Sequence, residues 1–282
     1  DTGRRSSPYS AVVVEPEAST GPLLLPARPT LNDDPTTTSV FVLVHGGGHG
    51  GWCWRRVARR LRAAGHAVYT PTLTGFGERS HLRDAVAGFD TFIADVAHVI
   101  TFEALDEVVL VGHSMGGVIV PRVAEELPER IRRVVWLAAV VTDNGETLLD
   151  AVPQSRWIAR AVTIEPDGEA RTDPELILDA NLQDGTAEER AFVRDRHLPY
   201  PPAALVEPGR LREFLALGLQ TGYITATDDR TIEAPVSARF ASRLPGCKQA
   251  QVPGGHDCMI TRPDEVTAAL LTMVRTTSDT PG

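Results

Sequence analysis

The chain has 282 residues, 42% of them apolar and 23% charged, with a formal net charge of -9. That length suits one large core, or a core with an insertion, better than two independent domains. The negative balance speaks against a nucleic-acid ligand and against an anionic membrane surface as partner.

Cys53, Cys247 and Cys258 are odd in number and none stands in a C-x-x-C pair, so neither a disulfide framework nor a zinc site is indicated. No run approaches the roughly 18 apolar residues of a membrane span. No apolar signal segment is visible, which leaves any export history unread. The expectation is a cytoplasmic chain whose N-terminus, Asp1 rather than Met, is processed or trimmed.

Residues 1–38 are rich in Pro, Ser and Thr and read as an N-terminal arm, extended with at most one edge strand or partly disordered. From Ser39 strands and helices alternate. Val40 to Val44 is an unbroken apolar run, as in a strand buried on both faces. A glycine loop follows, then a helix from about Trp52 to Ala64 that Gly65 stops. Ala67 to Thr70 is a strand closed by Pro71, and residues 72–82 are a loop. Asp90 is expected to cap a helix that runs to about Phe102.

The strand Val108-Val109-Leu110-Val111 leads into Gly112-His113-Ser114-Met115-Gly116, and a helix follows over 117–127. In that context G-x-S-x-G is a nucleophile elbow, with small residues at 112 and 116 because the turn is strained and the chains around it pack closely. Arg133 to Val140 is the next strand. Residues 141–218 break the rhythm, with Pro153, Pro166, Pro174, Pro199, Pro201, Pro202 and Pro208 between short helical patches. The alternation resumes with a strand over 222–226, a helix over 236–243, a strand over 248–252 and a helix from Pro263 to about Arg275.

The expectation is therefore an α/β fold: a doubly wound, mainly parallel sheet formed by residues 39–140 and 219–282, with a helical cap, or lid, inserted over 141–218.

Acyl transfer by a serine needs a base, an acid that orients the base, and donors for the oxyanion. In elbow enzymes these follow the chain order Ser, acid, His. Only His197 and His256 follow Ser114. His197 falls in the cap, whereas His256 follows the last strand through Gly254-Gly255, so His256 is the candidate base. Asp228 and Asp229 both end the strand before it, and spacing does not choose between them. Asp143 is a third candidate. One oxyanion donor would be the backbone N–H of Met115, the other an N–H of the loop His45-Gly46-Gly47-Gly48-His49-Gly50-Gly51.

The same loop admits two rival readings. Gly46, Gly48 and Gly51 match the dinucleotide pattern G-x-G-x-x-G, but the next strand ends without the acid that pattern requires. His45 and His49 have the spacing of a helical metal pair, but five glycines around them disfavour a helix. No metal and no cofactor is expected.

Five segments together resemble the α/β-hydrolase fold, and within it the branch of plant methyl-ester hydrolases, hydroxynitrile lyases and bacterial pyrethroid-type carboxylesterases. They are Val44 to Trp54, Thr72 to Leu82, Gly112 to Gly117, Thr227 to Arg230 and Gly255 to Met259, and the likeness spans about residues 39–275. The resemblance implies a serine hydrolase with Ser114, Asp229 and His256 as triad, the N–H groups of Gly47 and Met115 as oxyanion hole, and no cofactor. Lyases of the branch carry a threonine and a lysine where this chain has Gly46 and Asp257. A carboxylate at 257 would repel the cyanide that the lysine holds, which favours ester hydrolysis.

The cap contributes Leu148, Leu149, Trp157, Leu176, Ile177, Phe192, Leu198 and Tyr200. Some of these, Trp157 among them, are candidates to line a pocket for a hydrophobic small-molecule ester. Transacylation, cyclisation or carbon–carbon cleavage on the same fold, and a non-catalytic small-molecule receptor, are the alternatives. The N-terminal arm is longer than the resemblance leads one to expect and is a candidate for contacts between two copies of the chain, as in a homodimer.

Overall fold

Apolar runs with no polar interruption dictate the sheet, because such strands are stable only when both faces are covered. The computed structural model describes residues 38–152, 162–164, 170–199 and 208–274. The arm as far as residue 37, together with Trp157 and Tyr200, lies outside the described residues. In chain order the strands are β1 (Val40–Val44), β2 (Ala67–Tyr69), β3 (Val108–Ser114), β4 (Ile131–Ala139), β5 (Val162–Ile164), β6 (Ala170–Thr172), β7 (Gln220–Ala226) and β8 (Lys248–Val252). Six of them form one parallel sheet in the order β2-β1-β3-β4-β7-β8. The doubly wound parallel expectation is met.

Successive side chains of each central strand point to opposite faces, and each face has its own core. On one side Val42, Val44, Leu110, Val134 and Trp136 pack with α2 (Phe89–Phe102) and α3 (Gly116–Glu126). On the other, Phe41, Leu43, Val109, Val111 and Leu137 pack with α1 (Arg55–Ala63). Two helices at the end of the chain complete that second face, as given below.

Between β4 and β7 the chain makes α4 (Leu148–Ala151), the antiparallel pair β5–β6, α5 (Pro174–Asn181), α6 (Ala187–Arg194) and α7 (Leu211–Leu215). Thr147 with Asp150 and Thr186 with Glu189 form capping boxes on α4 and α6, and Asp173 caps α5 ahead of Pro174. The β5–β6 pair departs from the all-helical expectation; the β-branched Val162-Thr163-Ile164 suits a strand better than a helix turn. After β7 come α8 (Ala234–Ser242), which joins the first core, then α9 (Cys258–Thr261) and α10 (Pro263–Val274), which join the second.

Two local details correct or extend the sequence reading. Asp90 does not cap α2: the helix begins one residue earlier, Gly88 is its N-cap, and Asp90 sits in the first turn 3.8 Å from Arg122. Its carboxylate there still favours the positive end of the helix. Pro121 lies inside α3 and cannot donate to the carbonyl of Gly117 four residues back. Trp136 Nε1–H donates to that carbonyl instead, at 2.9 Å, so the sheet repairs the helix.

The chain runs from β1 outward to β2 and then returns to β3 on the other side of β1. That reversal opens the crevice where ligands of doubly wound sheets bind, at the carboxyl ends of the strands.

Candidate active site

Val44 of β1 is paired with Gly112 of β3, so the loops that leave these two strands emerge side by side at the reversal. Ser114 ends β3 with a φ of 52°, in the left-handed region that a non-glycine residue adopts only where its surroundings force it. The turn leaves no room beside it. A Cβ on Gly112 would lie 2.6 Å from the Gly116 carbonyl oxygen, and one on Gly116 would lie 2.9 Å from that of His45. No side chain caps the first turn of α3, so the positive end of this 11-residue helix faces the elbow.

His256 comes from the loop after β8. Its Nε2 is 2.8 Å from Ser114 Oγ and its Nδ1 is 2.8 Å from Asp229 Oδ2, with the ring almost wholly buried. Asp229 leaves the end of β7, and its second oxygen, Oδ1, accepts the backbone N–H groups of Thr231 at 2.7 Å and Ile232 at 2.8 Å. All four hydrogen-bond positions are therefore assigned: the carboxylate accepts three N–H groups, and the imidazole donates from Nδ1 and accepts from the serine hydroxyl at Nε2. Asp228 faces elsewhere. Its carboxylate accepts Thr227 Oγ1–H at 3.0 Å and the Gly254 N–H at 3.1 Å, which braces the loop before His256. Asp143 is exposed and turned into its own loop, where it accepts the Asn144 N–H.

The glycine loop after β1 is held at three consecutive carbonyls. His45 Nδ1–H donates to the Gly46 carbonyl at 2.7 Å, His49 Nδ1–H to that of Gly47 at 2.8 Å, and the Leu198 N–H to that of Gly48 at 2.9 Å. A peptide unit directs its C=O and N–H to opposite sides. Each of these bonds therefore also sets the direction of the next N–H, that of Gly47 first. Gly46 sits directly against Ser114, since a Cβ there would lie 2.7 Å from Ser114 Cβ. His45 Nε2 accepts the Leu73 N–H at 3.0 Å, and Asp95 accepts the Thr74 N–H at 2.6 Å and pairs with Arg79, which anchors the segment 72–82 beneath the loop. Burial holds His45 neutral, its pKa lowered to about 3 against the opposing pull of the Gly46 carbonyl.

Sequence reasoning missed a buried cluster around this loop. His113, between the elbow glycine and the serine, donates from Nε2 to the His256 carbonyl at 3.0 Å, with its ring 4.8 Å from that of His256. Burial, and then the neighbouring His256, push the His113 pKa well down. Asp257 has no exposed surface, and its Oδ2 is 3.1 Å from His49 Nε2. Burial pushes the Asp257 pKa up, but the charge and hydrogen bond of His49 outweigh it and hold the group at about 2. In His49 burial pulls the pKa down, while Asp257 and the Gly47 carbonyl prevail and the net direction is up.

One rival reading and one argument fall as a result. Both ring nitrogens of His45 and of His49 are already hydrogen-bonded within the protein, so the metal-pair reading fails on the directions those nitrogens face. The Asp257 carboxylate is turned into the protein toward His49, so the argument that its charge repels a cyanide no longer applies. The signal that could have found this cluster was the concentration of His45, His49 and His113 beside motif glycines.

The sequence profile of the alpha/beta hydrolase family matches residues 41–269. A carbendazim-hydrolyzing esterase of Nocardioides sp. (strain SG-4G) is 36% identical over 237 residues, which cover 82% of this chain and 97% of that protein. Among solved structures, an extracellular alpha/beta-hydrolase from a Paenibacillus species superposes with a TM-score of 0.72 at 23% identity, over 84% of this chain and 100% of its own. A pyrethroid hydrolase from Sphingobium faniae JZ-2 does so with a TM-score of 0.72 at 20% identity, over 86% and 100%. With this coverage and the β2-β1-β3-β4-β7-β8 sheet, the chain belongs to the alpha/beta hydrolase family.

Proposed function

We propose that this chain is a carboxylic-ester hydrolase that works through an acyl-enzyme on Ser114, with His256 as base, Asp229 as the acid that orients it, and the N–H groups of Gly47 and Met115 as oxyanion donors. The observation that carries the reading is the continuous relay from Asp229 through His256 to Ser114, two contacts of 2.8 Å each, at the strained end of β3. The names of its relatives, an esterase acting on carbendazim and a hydrolase acting on pyrethroids, support ester cleavage on small hydrophobic molecules.

In this mechanism Ser114 Oγ attacks the ester carbonyl carbon as its proton passes to His256 Nε2. The carbonyl oxygen gains the electron pair and is met by the two backbone donors, whose direction is set before substrate arrives, so that no reorganisation is needed as charge develops. The start of α3 adds a favourable dipole. His256 returns the proton to the leaving alkoxide. A water molecule then gives a proton to His256 and attacks the acyl carbon; the bond to Ser114 Oγ breaks as His256 Nε2 returns that proton to Oγ, which frees the acid and restores the serine. Asp229, oriented by the Thr231 and Ile232 amides, holds the imidazole and stabilises the transient imidazolium.

Residues 141–218 serve as the lid in this reading, over a core of 39–140 and 219–282. Met115, the residue after the serine, lies in an apolar buried cluster with Val118, Val141 and Leu148, against which Leu198 packs; an apolar acyl or alcohol group is the substrate class proposed. Trp157 is proposed as a further pocket wall. The test is a panel of aryl and alkyl esters of graded size run on the native chain and on Ser114→Ala. Ser114→Ala should lose turnover and labelling by a fluorophosphonate while melting at the native temperature; full retained activity overturns the assignment.

A further inference from the structure

We propose that His49 and Asp257 are positioning residues for the ester hydrolysis described above: a buried imidazolium–carboxylate pair that ties the oxyanion loop to the loop bearing the base. The inference rests on that reading of the site and extends it to residues outside the triad.

The proton count comes first. His49 Nδ1 faces the Gly47 carbonyl oxygen at 2.8 Å, and Nε2 faces Asp257 Oδ2 at 3.1 Å. A carbonyl and an ionised carboxylate only accept. A neutral imidazole has one N–H, and its other nitrogen would then point a lone pair at an oxygen. An imidazolium satisfies both contacts. The groups that face His49 are consistent with a charge balanced locally: Asp257, the neutral rings of His113 at 6.0 Å and His197 at 5.6 Å, and Trp52 stacked at 5.3 Å. Burial lowers the His197 pKa to about 3, which leaves His49 as the cation among these rings.

The connections come next. Gly47 lies between two peptide planes. The one before it is pinned through the Gly46 carbonyl by His45, and the one after it through its own carbonyl by His49. The Gly47 N–H lies in the first plane, which His45 sets; His49, by fixing the second, removes the rotation at Gly47 that would let the first drift. At the other end of the tie, Asp257 is the residue after His256, and its own backbone is fixed: its N–H donates to the Asn181 carbonyl at 2.9 Å, and its carbonyl accepts the Ile260 N–H at 2.8 Å. His113 donates to the His256 carbonyl, which joins the same loop to β3. The serine strand, the base loop and the oxyanion loop are thus connected by the buried side chains of His49, His113 and Asp257.

Stability alone does not call for this pair, because apolar residues of similar shape often replace a buried ion pair without loss. That fact provides the test. In the full chain, His49→Phe combined with Asp257→Leu keeps the stacked ring and removes both charges. The double variant should melt within a few degrees of the native protein. Its kcat on an aryl ester should fall about 10²-fold, the size of effect expected when one oxyanion donor is lost, with KM within about threefold. Asp257→Asn should give a smaller fall in kcat, about tenfold, because His49 can then keep its bond to Gly47 as a neutral ring.

Nitrogen NMR on histidine-labelled protein gives a readout independent of activity. His49 should show two protonated ring nitrogens at neutral pH, and one in Asp257→Asn. A folded double variant with kcat within threefold of native, a loss carried by KM alone, or a singly protonated His49 in the native protein overturns the proposal. If the double variant does not fold, Asp257→Asn decides by the same two measurements. If the native chain neither turns over esters nor takes up a fluorophosphonate at Ser114, it is the hydrolase reading that fails, and the NMR result still judges the pair.

Discussion

Replacing Asp229 by Asn exchanges one oxygen for an NH2 group, and the surroundings dictate which one. Oδ1 of Asp229 receives two backbone N–H groups, from Thr231 at 2.7 Å and Ile232 at 2.8 Å. An amide NH2 cannot accept, so the Asn oxygen must take that place and the NH2 must face His256 Nδ1, where Oδ2 now stands at 2.8 Å. Two donors cannot face each other. The ring moves its proton to Nε2, where it points at Ser114 Oγ, and the base is lost. Flipping the amide would recover the base but set its NH2 against two buried N–H donors, at roughly 1–3 kcal/mol for each donor left unsatisfied. The working orientation is therefore disfavoured by about 2–6 kcal/mol, or from about 30-fold to a little over 10⁴-fold in kcat. The upper end matches the roughly 10⁴-fold loss caused by the same change in serine proteases. Steady-state hydrolysis of an aryl ester measures it, with KM expected within about threefold. Asp228→Asn is the internal control and should lose less than tenfold, since the Asp228 carboxylate bonds Thr227 and the Gly254 amide and not His256. An Asp229→Asn enzyme within tenfold of native, or an Asp228→Asn enzyme that suffers more, would refute the reasoning.

Gly46→Ala would place a methyl group 2.7 Å from Ser114 Cβ and 3.0 Å from His113 Nδ1. Reaching ordinary contact requires a shift of about 1 Å, so kcat/KM should fall about 10²-fold, and native kinetics would show that the loop yields at no cost. His45 and His197, each with its pKa lowered to about 3, and His113, pushed well down, are neutral in the fold yet take up protons when unfolded below about pH 6.5. The stability they allow is full above the unfolded value and falls with acidification, by about 1.4 kcal/mol per pH unit for each ring. Unfolding followed by circular dichroism should centre near about pH 5 with uptake of about three protons, and a chain still native at pH 4 would contradict it. Tyr223→Phe removes the hydroxyl that donates to the Ala139 carbonyl at 2.8 Å, and should lower Tm by about 2–4 °C with kcat unchanged.

Much of the framework was legible because it depends on runs and on chain order. Val40 to Val44 and Val108 to Val111 are apolar at every position, and the structure covers both faces of both strands. The elbow follows from a strand, two glycines and a helix. His256 follows from there being only two histidines after Ser114. Choosing between Asp228 and Asp229 was a different matter. Both leave β7 at the same point, and what separates them is which N–H groups each carboxylate finds: Gly254 for one, Thr231 and Ile232 for the other. Spacing along a strand carries no information on that. Asp90 shows the same limit on a smaller scale, since Gly88 and Asp90 are both acceptable at a helix start and the chain takes the earlier one.

The residues that hold the reacting groups were not legible, and the reason is separation. His49 meets Asp257 across 208 positions and Gly48 meets Leu198 across 150, and no period or local spacing joins either pair. Read alone, His45 and His49 are two rings four residues apart, and Asp257 is a charge beside the base. Only once β1 and β3 lie side by side, with the β8 loop folded over them, does the direction of each ring nitrogen become determined. The groups proposed to react leave strand ends, and chain order with the strained elbow turn pointed to Ser114 and His256. The groups that aim the Gly47 N–H have no such pointer, since other side chains could brace the same carbonyls. Their identity is thus a choice this chain made across the sheet, and substitution at 49 and 257 measures what that choice contributes to the rate.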